Sequence, residues 1–98
     1  MNKEVKKLMA FIDEEIEGAE KYAECALNAY EEGNKVHASR YALIACQELE
    51  HANSLHTMLM EKLSKEEHKY LLELYTDKHR EHMHKAAVVK VLIEEAKK

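Results

Sequence analysis

The sequence has no proline and only two glycines, Gly18 and Gly33, so little in its 98 residues breaks a helix. That scarcity favours long helices over sheets, and the length allows one domain spanning residues 1–98. No apolar run approaches the length of a transmembrane helix, which excludes a membrane-spanning chain. With 35% charged and 46% hydrophobic residues the composition is not that of a disordered segment either. No apolar stretch follows the charged start Met1-Asn2-Lys3-Glu4, so no secretory signal is expected and a cytoplasmic location is the default. Only two cysteines occur, Cys25 and Cys46, both among alanines, where the expected role is that of a small reduced hydrophobe. Basic residues are scattered over a chain of formal charge −4, which argues against a nucleic-acid partner. Nucleophilic catalysis also finds no support, because there is no Gly-flanked serine and no histidine placed by sequence to activate either cysteine.

What is present reads as an all-α chain. A first helix is predicted over residues 3–32, stopped by Gly33 as a C′ residue, and a second over 34–63, with Asn34 as its N-cap. Ser64-Lys65-Glu66-Glu67 has the form of a capping box and predicts a third helix over 65–96. The expected product is a long antiparallel helical hairpin plus a third helix.

Heptad spacing places the seams. Val5, Leu8, Ile12, Glu15, Ala19, Tyr22, Ala26 and Ala29 fall at alternating steps of three and four in the first helix. The same walk in the second helix gives His37, Tyr41, Ile44, Glu48, His51, Leu55 and Met58. One acid and a Glu-x-x-His pair therefore fall on stripes that are otherwise apolar. A carboxylate removed from water is costly unless paired or metal-bound. A tight turn at Gly33 brings equidistant residues level, and Glu15 and His51 lie equally far from it on either side. Glu48 is one helical turn away, roughly 4.5 Å along the axis at about 1.5 Å per residue, so all three side chains can converge on one ion. The alternative is a Glu–His hydrogen bond that fixes register. Tyr22, one heptad from Glu15, either donates to a ligand or fills the core.

A complete di-iron carboxylate bundle takes one Glu from each of two helices and a Glu-x-x-His from each of the other two, and this chain holds one of each. It has half a site, which a C₂ homodimer would complete as a four-helix bundle. An oxygen-rich ligand set suits iron or manganese better than structural zinc.

The third helix departs from this scheme. Its apolar residues cover a wide arc, as expected of a helix that docks on another subunit. It also carries a second Glu-x-x-His, Glu81 with His84, and an i, i+3 pair of imidazoles, His79 with His82. Both are further candidate metal ligands, with a polar, pH-titrating patch at a subunit contact as the alternative. His37, His56 and His68 read as surface or boundary histidines.

The segment Glu14 to Tyr22, with Glu15 seven residues before Tyr22, followed by Glu48-Leu49-Glu50-His51-Ala52, resembles the encapsulated ferritins, half-length ferritin-like di-iron proteins. The resemblance covers about residues 12 to 62. It implies a dimer whose two hairpins form a ferritin-like four-helix bundle, with a di-iron ferroxidase centre on the two-fold axis. It also implies Glu15, Glu48 and His51 as iron ligands, with Tyr22 beside them, and a larger homo-oligomer of dimers as a further expectation. The family's usual partner is an encapsulin shell, reached through a C-terminal extension. The sequence ends Glu94-Glu95-Ala96-Lys97-Lys98 without one, so a free-standing relative and a trimmed C-terminus both stay open.

Two other functions compete. A rubrerythrin-like protein would reduce peroxide at the same ligands, and only the absence of rubredoxin-type cysteine pairs speaks against it. Ala23, Ala26, Leu27, Tyr30, Gly33, Ala38, Tyr41 and Ala42 also resemble the pattern of tetratricopeptide-like repeats, which would make the chain a non-enzymatic interaction module. Helices near thirty residues are about twice as long as such a repeat allows, and there is no second copy.

Overall fold

The computed structural model describes residues 3–65 and 69–98. Three helices account for nearly all of them: α1 (Lys3–Glu31), α2 (Lys35–Leu63) and α3 (Lys69–Glu95). No strand occurs among the described residues.

The α1–α2 turn is built from two residues with different tasks. Gly33 takes φ +82°, the left-handed conformation that closes a helix. Its N–H donates to the Tyr30 carbonyl at 3.0 Å and the Asn34 N–H to the Ala29 carbonyl at 2.8 Å, the paired bonds of a Schellman ending. Asn34 then opens α2, its side-chain oxygen accepting from the His37 N–H at 3.1 Å. At the far end of α2 the Ser64 hydroxyl donates to the Glu61 carbonyl at 2.8 Å. Ser64 thus closes α2, in contrast to the role expected of it at the start of the third helix. Glu67, the other half of the expected capping box, lies outside the described residues, and the third helix is described from Lys69.

The core changes character along its length. At the open end of the hairpin Val5, Leu8, Ile12 and Ile16 pack with Leu59 and Leu63 of α2 and Leu71 and Tyr75 of α3. Toward the turn, Ala19, Ala23 and Ala26 meet Ala42 and Ala45, so the helices approach closely there, and Val89, Ile93 and Ala96 of α3 complete the layer. These pairings show α3 running alongside α1 in the same direction. It packs chiefly on α1 and much less on α2.

One expectation is corrected by this arrangement. The residues of α2 that the structure buries are Ala38, Ala42, Ala45, Ala52, Leu59 and Leu63. The stripe expected from heptad spacing lies mostly one position away, about 100° around the helix, and is half-exposed or exposed at its edges. The third helix is the cause. It covers one side of the hairpin and draws the core toward itself, leaving His37, Tyr41, Glu48, His51 and Met58 on the other side.

Nothing lies within 4 Å of a Cβ built on Gly33, so Gly33→Ala has only a backbone cost. It should lower stability by about 1–2 kcal/mol through the left-handed strain. Urea unfolding followed by circular dichroism should show a lower midpoint at unchanged slope; an unchanged midpoint would contradict the role given to this turn.

Candidate metal centre

Glu15 of α1 and Glu48 and His51 of α2 come together on the side of the hairpin away from α3. One ligand atom from each lies within 4.8 Å of the other two, and among the described residues this is the one group of three or more metal-ligating side chains so placed. Ligands on opposite sides of an ion at about 2.1 Å are about 4.2 Å apart, so little adjustment would close them on a cation. His51 Nδ1 stands 3.4 Å from Glu15 Oε2. The burial is uneven: the His51 side chain is 64% exposed and that of Glu15 28%. His51 is therefore a solvent-facing imidazole, not the buried one its seam position suggested.

Two features set the group apart electrostatically. Glu15 Oε2 is shielded from solvent and accepts no hydrogen bond, with His51 Nδ1 at 3.4 Å, an arrangement that costs free energy. Glu48 holds its proton above the ordinary carboxylate range. The main cause is the hydrogen bond that protonated Glu48 makes to Glu15; burial and the Glu15 charge add to it, and His51 opposes. A proton retained on Glu48 would relieve the unsatisfied oxygen of Glu15, and so would a cation. Below the raised pKa of Glu48, metal binding at this site would therefore displace a proton.

Gly18 is the site residue that sequence reasoning missed. A Cβ at this position would lie 3.0 Å from Glu48 Oε2 and 3.2 Å from its Cδ, so the bare backbone of α1 is what admits the Glu48 carboxylate. The signal was available in the sequence: a glycine inside a helix, three residues after Glu15, is destabilising unless something requires the space.

Tyr22 lies on the same side of the hairpin, exposed, with its ring stacked on Tyr41 at 6.3 Å between centroids. The other proposed ligands do not join this centre. Glu81 is exposed and faces Lys78 and Lys85 at 3.8 and 3.6 Å, and His84 is exposed. His82 is buried and binds Asp13 through Nε2 at 2.5 Å. His79 stacks on His56 with centroids 4.5 Å apart. His56 is a boundary residue, as expected, half-buried and hydrogen-bonded to the Tyr75 hydroxyl. Cys25 is exposed and Cys46 half-buried, both as free thiols.

No family model matches the chain, and no curated protein or solved structure shows significant similarity to it. No described helix is long and apolar enough to cross a membrane.

Two predictions follow from this geometry. Gly18→Ala should weaken Mn²⁺ binding while leaving helicity intact, and its effect on stability should depend on Glu48. Beside Glu48 it should be neutral or destabilising; in a Glu48→Ala background it should stabilise by about 0.5–1 kcal/mol, the usual gain for Gly to Ala in a helix. Equal effects in the two backgrounds would show that Gly18 and Glu48 do not interact. The second prediction concerns pH. A carboxyl whose folded pKa is raised favours the fold below its ordinary value of 4.5 and loses that contribution as pH rises through the raised value. Glu48→Gln should therefore raise the melting temperature of the metal-free protein at pH 7 and leave it nearly unchanged at pH 4; a drop at pH 7 would show that the ionised carboxylate is stabilising.

Proposed function

We propose that the chain is a ferritin-like di-iron ferroxidase, oxidising Fe(II) to Fe(III) with O₂ in iron storage or detoxification, at a centre completed by a second copy. The observation that carries this reading is the Glu15, Glu48 and His51 group, open to solvent on one face of a hairpin. It is half of the four-Glu, two-His set from which a di-iron bundle is assembled. A C₂ dimer apposing two such faces would supply the other half with the same residues. The flanks suit such a contact, because Phe11, Tyr22 and Met58 are large apolar side chains exposed on this side of α1 and α2.

The donor chemistry fits iron. The two carboxylates per copy are hard, anionic ligands that stabilise the ferric product more than the ferrous substrate, and the neutral imidazole is a nitrogen donor that also suits iron. Glu15 and Glu48 would hold the metal by their oxygens, and Gly18 would keep Glu48 within reach. His51, exposed and unburdened by a buried partner, would add the nitrogen donor. Each ferrous ion bound there would give up one electron, and dioxygen would accept them. Tyr22 would sit at the margin of the joint centre. A rubrerythrin-like peroxide reduction would use the same ligands, and the choice of oxidant in the assay separates the two. The interaction-module alternative loses ground because α1 and α2 are 29 residues each, far beyond a repeat helix.

Anaerobic loading with Fe(II) followed by air should give rapid ferric absorbance with the wild-type chain. Glu48→Ala and His51→Ala should reduce the rate to that of a buffer blank with far-UV circular dichroism unchanged. Because metal would bind the dimer better than the monomer, Fe(II) should also raise the dimer fraction in anaerobic sedimentation. Oxidation at the wild-type rate in both variants would overturn the reading.

A further inference from the structure

The side of the hairpin that α3 covers is not sealed. Because α3 leans on α1 more than on α2, a cavity of about 320 Å³ remains between α2 and α3. Its apolar wall is made by Ile12 and Ile16 of α1, Leu49 of α2 and the exposed Met83 of α3. The space exists because Ala52, Ala86 and Ala87 stand where longer side chains would fill it. On α3 the lining runs from His79 to Lys90, about 16 Å along the axis at about 1.5 Å per residue, so the cavity is a slot. None of its lining residues belongs to the Glu15 centre.

The two ends of the slot differ in charge. At one end the imidazoles are already engaged within the protein. The buried His82 donates from Nε2 to Asp13 Oδ1 at 2.5 Å, and His56 is held by the Tyr75 hydroxyl and stacks on His79 with centroids 4.5 Å apart. Burial, ahead of the neighbouring His79 and His82, holds His56 below the usual histidine range, so this ring is uncharged at neutral pH. At the other end stands Lys90. Lys78 and Lys85 of the same helix face Glu81, whereas Lys90 is exposed, lines the slot and has no ion-pair partner among the described residues. An ammonium open to an anion therefore adjoins an apolar wall that nothing in the chain covers.

We propose that this slot binds a small amphipathic carboxylate, whose anionic head pairs with Lys90 and whose apolar chain lies along Ile12, Ile16 and Met83. Size sets the length of the chain. A cavity of 320 Å³ holds about ten non-hydrogen atoms at the roughly 30 Å³ that a water molecule takes in the liquid, and is about twice the volume of a cavity that admits benzene. Charge sets the head group, because one ammonium and no guanidinium in the lining suit a single negative charge better than a phosphate. Burial of the chain against the wall supplies the affinity, and Lys90 fixes the orientation, as in pockets that are mostly apolar with a few placed polar groups. Met83, unbranched and flexible, closes over the chain. The far end, with its imidazoles bonded to Tyr75 and Asp13, offers the chain's tip no competing charge pair. This site is independent of the Glu15 centre, and neither one requires the other.

Octanoate has the matching size and charge, and the test titrates it into the metal-free, full-length chain by calorimetry, with 1-octanol as the uncharged comparison and methyl resonances recorded in parallel. The expected result is one octanoate per chain, bound about fivefold more tightly than 1-octanol, with shifts at the Met83, Ile12 and Ile16 methyls and none at Met58 on the open face. Lys90→Met keeps an apolar stem without the charge and should abolish the preference for octanoate. Ala86→Leu fills the slot and should weaken both compounds roughly tenfold or more. Lys90 is exposed, so its substitution carries the test even if Ala86→Leu disturbs packing. Absence of octanoate binding, shifts at Met58 in place of Met83, equal affinity for 1-octanol, or a preference that survives Lys90→Met would each overturn the proposal.

Discussion

The antiparallel register of α1 against α2 is the constraint on which the rest depends. A turn of Gly33 and Asn34 leaves the hairpin almost no freedom to slide, because the Schellman bonds and the Asn34 cap fix both helix ends at once. Register then decides that Glu15 meets His51, with Glu48 a turn away. It also decides that Gly18 stands opposite the Glu48 carboxylate. A slip of one residue would rotate each helix by about 100° relative to its partner and scatter all four.

From that register follows a division between two faces. The alanines near the turn bring α1 and α2 close together, and α3 lies along α1 on one side. On the covered side are the core and a cavity bordered by imidazoles. On the open side are two carboxylates, an imidazole and a flank of exposed Phe11, Tyr22 and Met58. A Glu15 oxygen is hidden from water without a hydrogen bond, next to a carboxyl whose pKa is pushed up by its neighbour Glu15. A bound cation would answer both, and so would a protonated His51, whose Nδ1 is 3.4 Å from Glu15 Oε2.

Much of this could be read from the sequence. The absence of proline, the single glycine at a helix end and the Asn cap gave the first two helices to within about a residue, whereas Ser64, read as the start of the third, closes α2, and α3 is described from Lys69. Counting outward from Gly33 brought Glu15 and His51 to one level. The buried face of α2 lies about one position from its heptad stripe, because α3 draws the core toward itself, which no pairing of α1 with α2 alone reveals. Ala38, Ala42, Ala45 and Ala52 form the true stripe, and alanine carries little hydrophobic signal. The contacts of His56 with Tyr75 and of Asp13 with His82 are not legible in the sequence, because the partners are distant along the chain. Gly18 carries no signal of its own beyond being a helical glycine; its place against the Glu48 carboxylate is visible only in the fold.

If one chain holds half of a two-metal centre, two iron ions must meet where two copies join. Mössbauer spectroscopy of ⁵⁷Fe-loaded, air-oxidised protein tests it most directly, since spins couple only when two ferric ions share bridging ligands. The account predicts a spin-coupled diferric signal at about one iron per chain, found in the dimer fraction and lost in Glu48→Ala. Isolated, uncoupled ferric ions on a monomer, or no bound iron at all, would contradict it.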